Sequence, residues 1–176
     1  MKHLKKCHHI VLHIWFLALG LLITGCAGQD VRVHANSGAK LSNYKTVLVE
    51  FTTKVPDSNE QLDQLESMVI SKVKREGWFE KVLSASGNPD SKTDLTLKAD
   101  LIELVKVSGA ARFWGGAFAG RAKAVMSVKL VDNSSGNLLS EFQAEGKTGA
   151  WAFAGSTDQA LNLTAQQIVD FIKKNL

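Results

Sequence analysis

Apolar and polar positions alternate along most of the chain, and the period of that alternation changes in a readable order. Val47, Val49 and Phe51 alternate with Thr46, Leu48 and Glu50, the two-residue period of a largely buried strand beginning near Tyr44. After Pro56 the period lengthens. Ser58 and Gln61 have the spacing of a capping box, and Leu62, Leu65, Val69 and Val73 follow on one helical stripe as far as Gly77. Residues 78–85 predict a short second strand, and 86–93 a turn-rich connection. Asp94 to Val107 is the longest strand candidate, with Leu95, Leu97, Ala99, Leu101, Val105 and Val107 on one side. Glu103 interrupts that side while Ile102 and Leu104 sit opposite, which predicts a bulge or a change to burial on both faces. Residues 122–131 and 138–147 alternate again around the turn cluster Asp132-Asn133-Ser134-Ser135-Gly136-Asn137, the pattern of a hairpin. Ser156 and Gln159 repeat the capping spacing, and Leu161, Ala165, Ile168, Ile172 and Leu176 define a closing helix. The order β-α-β-β-β-β-α predicts an α+β domain over residues 44–176, a single mixed or antiparallel sheet of about five strands with two helices packed on one face.

Upstream of Tyr44 the pattern is different. Residues 1–9 carry Lys2, Lys5 and Lys6, and Ile10 to Ile23 is a 14-residue apolar run broken once by His13. A membrane-spanning helix needs about 20 apolar residues, so this run has the length of a signal-peptide core and not of a span. The residues that follow, Ile23, Thr24, Gly25 and Cys26, resemble the bacterial lipobox read by signal peptidase II, in which two small residues precede a cysteine that receives diacylglycerol. The resemblance implies a signal peptide over residues 1–25 and a lipidated first residue, Cys26, carrying palmitate-like acyl chains. The alternatives are an uncleaved amphipathic anchor and a chance Thr-Gly-Cys after an ordinary signal peptide. Two or more acyl chains suffice for stable anchoring. Ala27 replaces the aspartate that often retains such proteins on the inner membrane, which favours the periplasmic face of the outer membrane. Residues 27–43 are small and polar with no period, so residues 26–43 are expected to form the lipidated cysteine and a flexible tether.

Composition then removes several classes of function. The chain of 176 residues has a formal net charge of +4, but without its three early lysines it holds 18 basic against 17 acidic residues. That balance argues against a nucleic-acid partner, which needs a basic excess to displace counterions. Cys7 leaves with the signal and Cys26 is acylated, so the mature domain offers no thiol, and His34 is its one histidine. A nucleophile with a histidine base and a clustered metal site both fail on inventory, and no cofactor motif is present. Gly115 to Gly120 before Arg121 only faintly echoes a phosphate loop, lacking its Lys-Ser/Thr pair. The carboxylate pairs Asp100/Glu103 and Glu141/Glu145 read more simply as a solvated sheet face than as catalytic residues.

Two segments do not fit a bland surface. Residues 112–120 (RFWGGAFAG) and 149–155 (GAWAFAG) are glycine-rich and apolar, and each carries a tryptophan and ends in Phe-Ala-Gly. Phe113, Trp114, Phe118, Trp151 and Phe153 either cap the core or contact something apolar: a neighbouring subunit, a lipid interface, or a ligand.

Arg112, Phe113, Gly116, Phe118 and Gly120, followed by Val125, Val128, Leu130, Val131, Asp132, Ser135, Gly136 and Leu139, resemble the signature of envelope lipoproteins of the domain of unknown function 4410 family, with alanines in place of some loop glycines. The resemblance covers most of residues 44–176. The element order is also similar to the α+β domains of outer-membrane secretion lipoproteins, such as those of curli or Pel-polysaccharide export. No reaction, cofactor or catalytic residue is implied. The expectation is a non-enzymatic periplasmic lipoprotein, held to the membrane by its lipid, that joins a homo-oligomer or an envelope partner. The alternative is a monomeric binding protein for a lipid, glycan or peptide.

Overall fold

The computed structural model describes residues 28–36, 38, 40–88, 91–107, 120–149 and 155–176. Six strands form one sheet: β1 (Gly28–Asn36), β2 (Thr46–Thr53), β3 (Lys81–Ser84), β4 (Leu95–Val105), β5 (Lys123–Asp132) and β6 (Leu138–Lys147). Two helices accompany them, α1 (Asn59–Glu76) and α2 (Thr157–Lys174). The strands lie in the order β1-β6-β5-β4-β2-β3, with β2 parallel to both β3 and β4 and every other pair antiparallel. This is the expected mixed sheet with one strand more.

The extra strand comes from the stretch expected to be a tether. Gly28 to Asn36 pairs antiparallel with β6, and the following 3-10 turn Leu41–Asn43 buries Leu41, whose N–H donates to Asn175 O at 2.8 Å. Among residues 28–43, then, much of the backbone belongs to the fold. Residues 1–25, the expected signal peptide, and Cys26 lie outside the described residues.

The helices bury the stripes that the spacing assigns to them. Leu62, Leu65, Val69 and Val73 of α1 and Leu161, Ala165, Ile168 and Ile172 of α2 join Val47, Val49, Leu95, Leu97, Ala99, Leu101, Ala124, Met126, Val128, Leu130, Phe142 and Ala144 in one core. Phe171 stacks on Phe142 with centroids 3.8 Å apart. Gly77 ends α1 at φ 71°, the left-handed conformation that glycine adopts without strain. Ser156 caps α2, accepting the Gln159 N–H at 3.0 Å. The corresponding box at Ser58 does not form. That hydroxyl is buried and donates back to Val55 O at 2.7 Å, within reach of Thr53 Oγ1, so it closes the β2–α1 turn instead of capping the helix.

The bulge in β4 falls between Leu101 and Glu103. Leu101 opposes Met126 on the helix side. One extra residue, Ile102, then reverses the parity, so that Glu103 opposes Val125 on the open face and Leu104 packs against the core. On that open face, lysines and carboxylates pair across strands: Lys98 with Glu50 at 3.4 Å, Lys129 with Glu141 at 3.5 Å, and Lys123 with Glu103 at 2.8 Å and Glu145 at 3.7 Å.

Candidate functional site

Strand direction decides which chain ends meet. β2, β4 and β6 finish at one end of the sheet and β1 and β5 begin there, because Thr53 opposes Leu101, Val105 opposes Lys123, and Lys147 opposes both Lys123 and Gly28. The two aromatic segments both leave and return through this end. The first departs after Val107 and re-enters at Gly120; the second departs after Gly149 and re-enters at Gly155.

Two threonine hydroxyls hold these roots together. Thr148, just past β6, accepts the Ala122 N–H on Oγ1 at 3.0 Å and donates its own N–H to Ala122 O at 3.0 Å. This joins the return of the first segment to the departure of the second, and both residues are fully buried. Thr157, the first residue of α2, accepts the Val107 N–H at 3.1 Å and so ties the departure of the first segment to the return of the second. Gly155, at φ 72°, packs so tightly on the Thr148 side chain that any Cβ there would collide with it. Neither threonine is marked in the sequence: a threonine at a strand end is commonplace, and only the pairing of β5 with β6 shows what Thr148 faces. The five aromatic candidates, Phe113, Trp114, Phe118, Trp151 and Phe153, lie outside the described residues, as do Ile23, Thr24, Gly25 and Cys26.

The carboxylate pairs considered for catalysis are divided among separate partners. Asp100 accepts from Thr52 Oγ1 at 3.2 Å, Glu103 holds Lys123, and Glu141 and Glu145 face Lys129 and Lys123. The hydrogen bond that Lys123 donates to Glu103, aided by the charge of Glu145, raises the Lys123 pKa against the opposing effect of burial. His34 is exposed on β1. Among the described residues no group of three or more His, Cys, Asp or Glu side chains could hold a metal ion. Two depressions among the described residues carry several polar side chains: one of about 380 Å³ on the open face between Glu50, Lys98, Asp100 and Lys129, and one of about 630 Å³ at the far end between Tyr44, Asp94, Asp132 and Asn133.

The family model described as "Domain of unknown function (DUF4410)" matches residues 30–152, well over half of the sequence. The chain belongs to this family. The match begins inside β1, earlier than the expected start at Tyr44, and ends in the second aromatic segment, so α2 lies beyond it. Among curated proteins none matches the chain. Among solved structures it is similar to a PelC variant dodecamer from Paraburkholderia phytofirmans, with TM-score 0.55 and 19% identity, covering 79% of this chain and 93% of that one. It is also similar to a second PelC dodecamer from the same organism, with TM-score 0.52 and 21% identity over 78% and 94% of the respective chains. The lipoprotein GNA1162 from Neisseria meningitidis gives TM-score 0.48 and 15% identity over 74% and 99%. At these identities the likeness is one of fold. Among the described residues, no helix is long and apolar enough to cross a membrane.

Proposed function

We propose that this protein is a non-enzymatic envelope lipoprotein, anchored through Cys26 on the periplasmic face of the outer membrane, that works by assembly with copies of itself or with an envelope partner. The observation that carries this reading is the stapling of both aromatic segments to a single end of the sheet. The described ends of these two apolar, glycine-rich segments share buried roots, which supports reading their aromatic residues as one contact surface. The division of the carboxylates among lysine and threonine partners supports a scaffold over a reaction centre. PelC, whose fold this chain shares, crystallises as a dodecamer, which supports self-association as the mode of assembly.

Light scattering of the purified mature protein across a concentration series tests the proposal. A defined mass several times that of one chain is expected. A monomer at every concentration, with no envelope protein recovered by crosslinking in cells, would overturn it in favour of the monomeric ligand-binding alternative.

A further inference from the structure

Strand β1 lies at the edge of the sheet and pairs with β6 alone. Its described side chains, Arg32, Val33 and His34, are all exposed, Val33 at 52%, and its register shifts between Val33 and Ala35. The helical layer does not rest on it. Helix α2 sits directly on β6, so closely that the Ala160 carbonyl and Thr164 leave no room for a Cβ at Gly146, and Phe171 stacks on Phe142 of the same strand.

One contact shows how β6 is served without β1. The Thr148 N–H donates to Ala122 O directly across the β5–β6 pair, so the alternation of an antiparallel ladder turns the N–H and C=O of Glu145 away from β5 and toward β1, where Asp30 stands opposite. Both groups are held from inside the domain. The side-chain amide of Gln167, a residue of α2 that is 2% exposed, accepts the Glu145 N–H at 2.8 Å and donates to the Glu145 carbonyl at 2.7 Å, as a neighbouring peptide group would. Departure of β1 therefore strands no backbone group at Glu145, which lowers the cost of opening this edge.

The chain on either side of β1 sets what opening does. Residues 37–40 (SGAK) lead from it to Leu41, which is buried and donates its N–H to Asn175 O just past α2, so release stops there. Leu41 stands at the end of the sheet where β6 begins, because Asn36 opposes Ser140. Gly28 stands at the other end, opposite Lys147 and beside the roots of the aromatic segments, and Cys26 precedes it by two residues, about 7 Å of backbone.

We propose that β1 is a retractable tether with a docked and a released state. Docked, it holds the end of the sheet that bears the aromatic segments within two residues of the acylated Cys26. Released, it shifts the point of attachment to Leu41 at the opposite end and lengthens the link to the 15 residues from Cys26 to Leu41, about 50 Å when extended. The released state frees the segment end to turn toward a neighbouring copy or an envelope partner. This rests on the lipid-anchor reading of Cys26 and adds to it a control of reach.

The test uses the mature lipidated protein in phospholipid vesicles, with Arg32→Cys and Thr52→Cys carrying spin labels. Both positions are exposed, and they lie in one row across the sheet, Arg32 opposite Gln143, then Ser127, Asp100 and Thr52, so docked β1 places them about 19 Å apart. Double electron–electron resonance is expected to show that narrow distance together with a minority of broad, longer ones. Gln167→Leu is expected to reduce the longer component several-fold, because release then leaves the Glu145 N–H and C=O unpaired. A single narrow distance in the protein with native Gln167, its mass showing the lipid on Cys26, overturns the released state whether or not Gln167→Leu folds. A folded Gln167→Leu protein with an unchanged or larger long component overturns it too. A mass without lipid overturns the anchor reading and the tether with it.

Discussion

Asp94 shows how much one short side chain organises at the start of a parallel strand pair. Its carboxylate accepts the backbone N–H groups of Lys45 at 3.0 Å and Thr46 at 2.9 Å, and its own N–H donates to Thr46 Oγ1 at 2.8 Å. The Lys45 N–H, then that of Thr46, hold the Asp94 pKa below the usual carboxylate range. A carboxylate with a lowered folded pKa stabilises the fold above the unfolded value, near 3.9, and loses that contribution as pH falls through the lowered one. Asp94→Asn is therefore expected to melt below the wild type at pH 7, with the gap narrowing below about pH 4; a gap unchanged down to pH 2 in thermal scans would contradict this. Gly146 matters for a different reason. A Cβ there would meet the Ala160 carbonyl and lie 2.5 Å from Thr164 Oγ1 and 2.7 Å from Thr164 N, in the rigid backbone of α2. Gly146→Ala is expected to cost about 2–3 kcal/mol in denaturant unfolding, because α2 must lift off β6 to admit the methyl group.

Helices were more legible than strands, and the reasons are local. A helical stripe repeats often enough in α1 and α2 to name its core positions, and Gly77 stops α1 where a left-handed residue is needed. Strand β1 gives no such signal. Val31, Val33 and Ala35 alternate with Asp30, Arg32 and His34, but the run is short, the flanking residues are small and polar, and the register shifts between Val33 and Ala35, so the stretch reads as a polar linker and its pairing with β6 makes it a strand. Ser58 was misread because the spacing of a capping box does not reveal that the hydroxyl has a nearer acceptor in Val55 O. The aromatic segments stand out by composition alone, whereas the threonines that join them do not. The bulge at Ile102 was legible because the apolar positions change sides, and it yields an element-level prediction. Deleting Ile102 leaves Leu101 opposite Met126, Glu103 opposite Val125 and Leu104 opposite Ala124 in a regular register, so cooperative unfolding followed by circular dichroism is expected to persist, and its loss would mean that the bulge itself is required. Ile102→Thr keeps the extra residue and is expected to fold.

For the whole molecule, anchorage and architecture are separable. If Cys26 carries the proposed lipid, Cys26→Ala removes that anchor without touching the sheet, and the folded protein is expected to move from the membrane fraction to the soluble periplasmic fraction. Retention in the membrane would mean an uncleaved signal anchor. The strand order carries one more consequence. The outermost strands run in opposite directions, since β1 rises from the Cys26 end while β3, parallel to β2, descends toward it. Copies anchored to one leaflet through Cys26, as proposed, would share the same upright sense while β1 is docked, so that each is related to the next by rotation about the membrane normal. Under that rotation an ascending β1 edge meets a descending β3 edge, which is antiparallel, whereas two β1 edges could pair antiparallel only if one copy stood on its head. A lateral union through the sheet would thus be head to tail, leaving one edge of each kind open at every step until curvature brings the last copy round to the first.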